Sequence, residues 1–295
     1  MAKLTTIGVN GVALLLTAGV SLPLVQVVSA QSLQAQTVDS SKKTPIKSAK
    51  SDLLPFFDQI DNPVAVRVPR NQKVDITPVS PLVNAFDQKV LNTCGTFGSK
   101  VSTISLRRLL SESPQVVQQI KQTVGGELFS GRRSENQFRD DLITVWSGRS
   151  AFEHIFCGQV RGATRIGGLH FVGRYLQLQN QGIAGRLPNN SQAEEVIAGE
   201  VYTLGVEVRQ GDRVITRDSK KGYSYVSNAQ EILVDATRAF KVFRTTANAN
   251  QACLYTVRDA SSVPPFQAVF VKTNRAIVTF YPDATPKPNQ RSCGQ

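Results

Sequence analysis

Apolar residues recur at spacings of three and four through 82–91, 105–110, 114–124 and 138–146, the period of amphipathic helices, so the first half is expected to be mainly helical. After residue 200 the period falls to two. Val201-Tyr202-Thr203-Leu204-Gly205-Val206-Glu207-Val208 predicts a strand, Gln210-Gly211-Asp212 its turn, and 213–217 a second strand. A helix is then expected with Ser227 or Asn228 as N-cap, Glu231 in its first turn, and Ile232, Leu233, Ala236 and Phe240 along it. Residues 268–271 and 276–280 predict a hairpin around Lys272-Thr273-Asn274-Arg275, and the tail from Asp283 is rich in Pro and polar residues. Helices first and antiparallel strands later predict an α+β fold rather than an alternating βαβ one.

The pattern before residue 81 differs. Lys3 precedes an apolar run from Ile7 to about Val20, and Val28-Ser29-Ala30 follows, which reads as a signal peptide of residues 1–30. An uncleaved anchor is the alternative, but Pro23 and Gln26 dilute the run and favour cleavage. Gln31 to about Pro55 is rich in Ser, Gln, Lys and Thr and reads as an extended linker. Pro63, Pro69, Pro78 and Pro81 then punctuate a segment without long regular elements. The expected organisation is therefore a signal peptide at 1–30, a linker and extended segment at 31–80, one domain at 81–285 and a tail at 286–295. The expected location is secreted or periplasmic, with no stable membrane insertion once the signal is removed.

Charge narrows the partners. The chain has 34 Lys+Arg against 22 Asp+Glu in 295 residues, and loss of Lys3 with the signal leaves a net charge of +11. Such a protein attracts polyanions, whether nucleic acid or an anionic membrane surface. No repeat of 20 to 50 residues occurs, which argues against a solenoid or propeller. The four cysteines, Cys94, Cys157, Cys253 and Cys293, lack CxxC pairing, which argues against zinc, and their even number in an exported chain permits disulfides of unassigned pairing.

Both histidines of the chain, His154 and His170, fall in one 17-residue window that also holds Gly158, Gly162, Gly167 and Gly168. Two groups able to exchange protons near neutral pH thus lie on a segment whose glycines permit close backbone approach. Phe152-Glu153-His154 and Gly167-Gly168-Leu169-His170, at this separation, resemble the EndoU endoribonuclease family, in particular its coronavirus uridylate-specific branch. Ala276-Ile277-Val278-Thr279-Phe280-Tyr281-Pro282 is similar to the strand that carries the family's uracil-side tyrosine. The resemblance covers roughly 125–282.

That resemblance implies an EndoU-like α+β nuclease that cleaves single-stranded RNA 3' of uridylates and leaves 2',3'-cyclic phosphate and 5'-hydroxyl ends. It implies His170 as base, His154 as acid and a lysine beside the phosphate. In Ser219-Lys220-Lys221-Gly222-Tyr223-Ser224, strand alternation puts Lys220 and Ser224 on one face, so Lys220 is preferred, with Lys221 if the register is shifted. Ser224 is expected to meet the uracil edge and Tyr281 the sugar or base. Arg161, Arg165 and Arg174 flank the histidines as candidate phosphate ligands. The mechanism requires no cofactor; manganese stimulation is left open. No phosphate-binding loop or dinucleotide fingerprint occurs. The alternative is a secreted basic RNA-binding or surface-interaction module that keeps the fold without turnover. Use as a toxin would add an immunity protein to the partners.

Overall fold

A computed structural model gives the architecture and describes residues 53–258 and 264–294. The expected signal peptide and nearly all of the expected linker lie outside the described residues. From residue 53 the chain packs on the domain. Phe56 and Phe57 are buried, and their N–H groups donate to the Gln179 side-chain oxygen at 2.5 and 3.0 Å. Two short strands, β1 (Val64–Ala65) and β2 (Lys73–Val74), pair antiparallel in this arm.

Four helices follow, α1 (Ala85–Cys94), α2 (Thr103–Ser111), α3 (Pro114–Thr123) and α4 (Glu135–Ser147). The apolar period places them, and local chemistry sets their ends. Asn84 and Asp87 form a capping box, so α1 starts at Ala85 and Leu82, expected inside the helix, is exposed. The same Asp87 carboxylate accepts the Ala229 N–H at 2.8 Å and ties α1 to the later helix α6 (Ala229–Val242). Asn228, rather than Ser227, caps α6, in a capping box with Glu231.

Between α4 and α6 the chain makes a π-helical turn (Glu153–Cys157) and the short antiparallel pair β3 (Gln159–Val160) and β4 (Ile166–Gly167). Helix α5 (Val172–Asn180) and strands β5 (Ala184–Arg186), β6 (Glu195–Ile197), β7 (Val201–Gln210) and β8 (Arg213–Ser224) come next. β5, β6 and β8 all pair antiparallel with β7. A second antiparallel sheet has the order β11-β10-β9, with β9 at Gln251–Val257, β10 at Phe266–Lys272 and β11 at Ile277–Asp283. The fold is α+β. The expected strand at 213–217 runs on to Ser224, whereas the π turn, α5, β5, β6 and β9 had no predicted counterpart.

Two disulfides complete the frame, Cys94–Cys157 between α1 and the π turn and Cys253–Cys293 between β9 and the C-terminal tail. Among the described residues no helix is long and apolar enough to cross a membrane.

Candidate active site

The histidines come together because the Gly167–His170 loop lies directly on the π turn. Leu169 N–H donates to the His154 carbonyl and His170 N–H to the Ile155 carbonyl, both at 2.8 Å. Gly168 sits at φ +65°, and a Cβ there would be driven into the His154 carbonyl, so the close approach requires glycine. The imidazole centroids are 5.7 Å apart.

Each ring is held through Nδ1. His170 Nδ1 lies 2.9 Å from the Gly222 carbonyl oxygen, which only accepts, so Nδ1 carries the proton and the neutral ring keeps a lone pair on Nε2. His154 Nδ1 lies 3.2 Å from the Gln159 side-chain oxygen. That amide is oriented by its other contacts: its nitrogen donates to Glu153 at 2.5 Å, and its oxygen accepts from Arg161 at 2.6 Å. Burial holds His170 well below the ordinary histidine range, and His154 and Lys221 push it the same way while the Gly222 carbonyl opposes. Burial also lowers His154, with the Gln159 hydrogen bond opposing and Lys221 and Arg161 reinforcing.

Both rings line a cleft of about 1330 Å³, to which Arg149, Arg161, Arg165, Lys220, Lys221 and Lys287 bring positive charge against Glu195 and Asp283. Tyr281 stacks on His170, with centroids 5.1 Å apart and planes inclined by 27°, and burial with Asp283 raises its phenol.

The two adjacent lysines diverge. Lys221 pairs with Leu204 and Asp218 with Val206, so Ser219 and Lys220 together oppose Gly205 in a β-bulge. An inserted residue puts positions three apart on one face, and Lys221 accordingly meets Asp218 at 3.1 Å. That face covers the histidine segment: Asp218 accepts the Ile166 N–H, and Thr216 donates to the Gly162 carbonyl. Lys221, with its side chain 14% exposed, is the lysine whose charge acts on both imidazoles. Lys220 shares a face with Gly222 and Thr203, reaching Glu195 at 2.5 Å, where Arg67 and Thr285 also bind that carboxylate. Both lysines line the cleft, Lys220 held at Glu195 and Lys221 acting on the imidazoles.

Two expectations change. Ser224 is buried, shares a 2.8 Å hydroxyl bond with Ser227 and accepts the Ser227 N–H, closing the turn into α6; it does not line the cleft. Arg174 is fully buried, donating to the Cys157 and Gly95 carbonyls at 3.2 and 2.9 Å, so it braces the end of the π turn instead of meeting phosphate.

Residues 148–284 match the family model for the bacterial EndoU nuclease. Over these 137 of 295 residues the chain is similar to the EndoU nucleases. No curated protein matches the chain. Among solved structures the chain is similar to "The structure of XendoU: a splicing independent snoRNA processing endoribonuclease", at 15% identity and a TM-score of 0.44, over 80% of this chain and 94% of that one.

The cleft also contains residues that the sequence did not single out. Thr279, two positions before Tyr281 on β11, is 9% exposed and its hydroxyl has no partner among the described residues, though it lines the cleft. An unpaired buried hydroxyl costs about 1–3 kcal/mol and marks a place where a ligand can supply the bond. Gln159 was likewise unmarked, because its role depends on the hairpin of β3 and β4 returning it to His154. Among the described residues no group of three or more His, Cys, Asp or Glu forms a cation site; Cys157 is in a disulfide, and Glu153 is bound to Gln159 and to the Val101 N–H.

Proposed function

We propose that the protein is an exported endoribonuclease that cuts single-stranded RNA 3' of uridylates by transesterification. The observation that carries this reading is the pair of imidazoles 5.7 Å apart, each engaged at Nδ1 and each leaving Nε2 for substrate, in a basic cleft beside Lys221.

His170 is the base. Its depressed proton affinity keeps Nε2 unprotonated, and Nε2 takes the proton of the ribose 2'-hydroxyl as that oxygen attacks phosphorus. His154 is the acid: protonated at Nε2 once a bound phosphate offsets its burial, it gives that proton to the departing 5'-oxygen. The P–O5' bond breaks as the P–O2' bond forms, leaving a 2',3'-cyclic phosphate and a 5'-hydroxyl. Lys221 faces the nonbridging oxygens and stabilises the charge that gathers there. Tyr281 packs against the sugar or base, and the unpaired Thr279 hydroxyl, rather than Ser224, bonds to the uracil edge. Export is supported by the N-terminal sequence and by two disulfides, which persist in oxidising compartments.

The test is incubation of purified protein, in EDTA, with an oligonucleotide holding a single uridine. A cyclic phosphate at that position is expected, and parallel reactions with manganese restored measure any stimulation. Binding without product would overturn the enzymatic reading and leave an RNA-binding module.

A further inference from the structure

A second cavity, of about 480 Å³, opens beside the β10–β11 turn, with Phe129, Phe240, Lys241, Arg244, Lys272 and Asn274 among its lining residues and no acidic side chain. Its deepest cation is Lys272, 4% exposed, whose ammonium donates to the Phe240 and Phe243 carbonyls at 2.8 and 3.1 Å and lies 3.8 Å from the Phe240 ring centroid. Those carbonyls close the C-terminus of α6 and engage two of the three ammonium hydrogens. Burial pulls this lysine down to about 8, and among the described residues no carboxylate pairs with it.

Capping of α6 accounts for Lys272 alone. It does not account for Lys241 in the last turn, for exposed Arg244, or for Arg275, whose guanidinium lies 5.4 Å from the ring centroid of half-buried Phe129. A cavity whose own lining is basic, with Glu127 the acid near Lys241 and the half-buried Phe129 ring at its side, suits a single-stranded nucleic acid, whose phosphates meet the charges and whose bases can stack.

Position ties the cavity to the cleft. Asn274 lines the cavity and Val278 the cleft, as do Thr246 and Asn250 on the segment leading to β9. Four residues span at most about 14 Å, so one short strand can reach both. We propose that this cavity is a second single-stranded RNA subsite, where Lys241, Arg244 and Lys272 hold phosphates of nucleotides flanking the scissile bond. The proposal rests on the ribonuclease reading above.

The test compares wild type with the double variant Lys241→Ala/Arg244→Ala, both substitutions lying away from the catalytic cleft. On a ten-nucleotide RNA with one uridine, KM should rise about tenfold with kcat unchanged, while kcat/KM on a uridine dinucleotide stays within about twofold. Kd for the same oligonucleotide made uncleavable by a 2'-deoxyuridine should weaken about tenfold, and its log-log salt slope should become shallower by about 1.4, the share of two phosphates. Equal losses on both substrates, or an unchanged Kd and slope, would overturn the subsite. So would loss of binding to phosphatidylserine vesicles with RNA binding intact, which would assign the cavity to a membrane surface. A wild type that binds the uncleavable oligonucleotide yet cuts nothing would sink the catalytic reading, while the binding comparison still decides the subsite.

Discussion

Replacing Lys221 with Ala should cost far more activity than replacing its neighbour Lys220. Lys221 faces the two imidazoles from a site that leaves its side chain 14% exposed, and removing a preorganised partner of the transition-state charge typically costs about 10²–10³ in kcat, or ~2.7–4 kcal/mol. Stability should change little, because Asp218 keeps the Ile166 and Lys220 N–H groups. Lys220 is 48% exposed and shares Glu195 with Arg67 and Thr285, so its loss should cost at most the ~1 kcal/mol of a half-exposed pair, a factor of about five. A second readout separates charge from packing. Lys221 pushes both histidines down, so its removal raises them, and the acid limb of kcat/KM should move to higher pH. Lys220→Ala should leave that limb in place. Steady-state kinetics on a uridine dinucleotide from pH 5 to 8 measures all of this. A mild Lys221→Ala beside a severe Lys220→Ala would refute the bulge-shifted register.

Gly168→Ala should destabilise the fold and abolish activity, since the new methyl meets the His154 carbonyl at a φ that alanine avoids; thermal melts and assays check it, and a fully active, stable variant would contradict the packing. The double substitution Cys94→Ser/Cys157→Ser opens a sequence separation of 63 residues and should cost about 4 kcal/mol in denaturant titrations, with activity falling because Cys157 ends the turn that carries His154. His170 is buried with a depressed proton affinity, so its contribution to stability is fully present above about pH 6.5 and is lost as pH falls below that value. His170→Asn should therefore flatten the pH dependence of the unfolding free energy between pH 7 and 5, and an unchanged dependence would show that other groups carry it.

The parts of this molecule that sequence discloses are those set by local periodicity. Helix α6 is fixed by Asn228 and Glu231 with its apolar face, and β7 by its period-two run of Tyr202, Leu204, Val206 and Val208. His154 and His170 were legible because Gly168, needed for their approach, lies beside them in sequence. The bulge at Ser219 and Lys220, which sets Lys221 beside Asp218, was not, because it depends on what β8 must pair with and not on its own residues. Ser224 and Arg174 look like substrate ligands in a linear reading, yet each satisfies groups at a turn or buried helix end that only the folded chain brings near. Gln159 and Thr279 have the opposite history: ordinary residues in sequence, they gain meaning from a hairpin and from a cleft.

The division of labour between the histidines is tested most directly by changing the leaving group, because a general acid is dispensable when the departing oxygen needs no proton. On a uridine 3'-aryl phosphate, His154→Ala should regain most of the rate it loses on a dinucleotide, whereas His170→Ala should stay impaired on both, since the 2'-hydroxyl must still be deprotonated. Equal rescue of the two variants, or rescue of His170→Ala alone, would contradict the account.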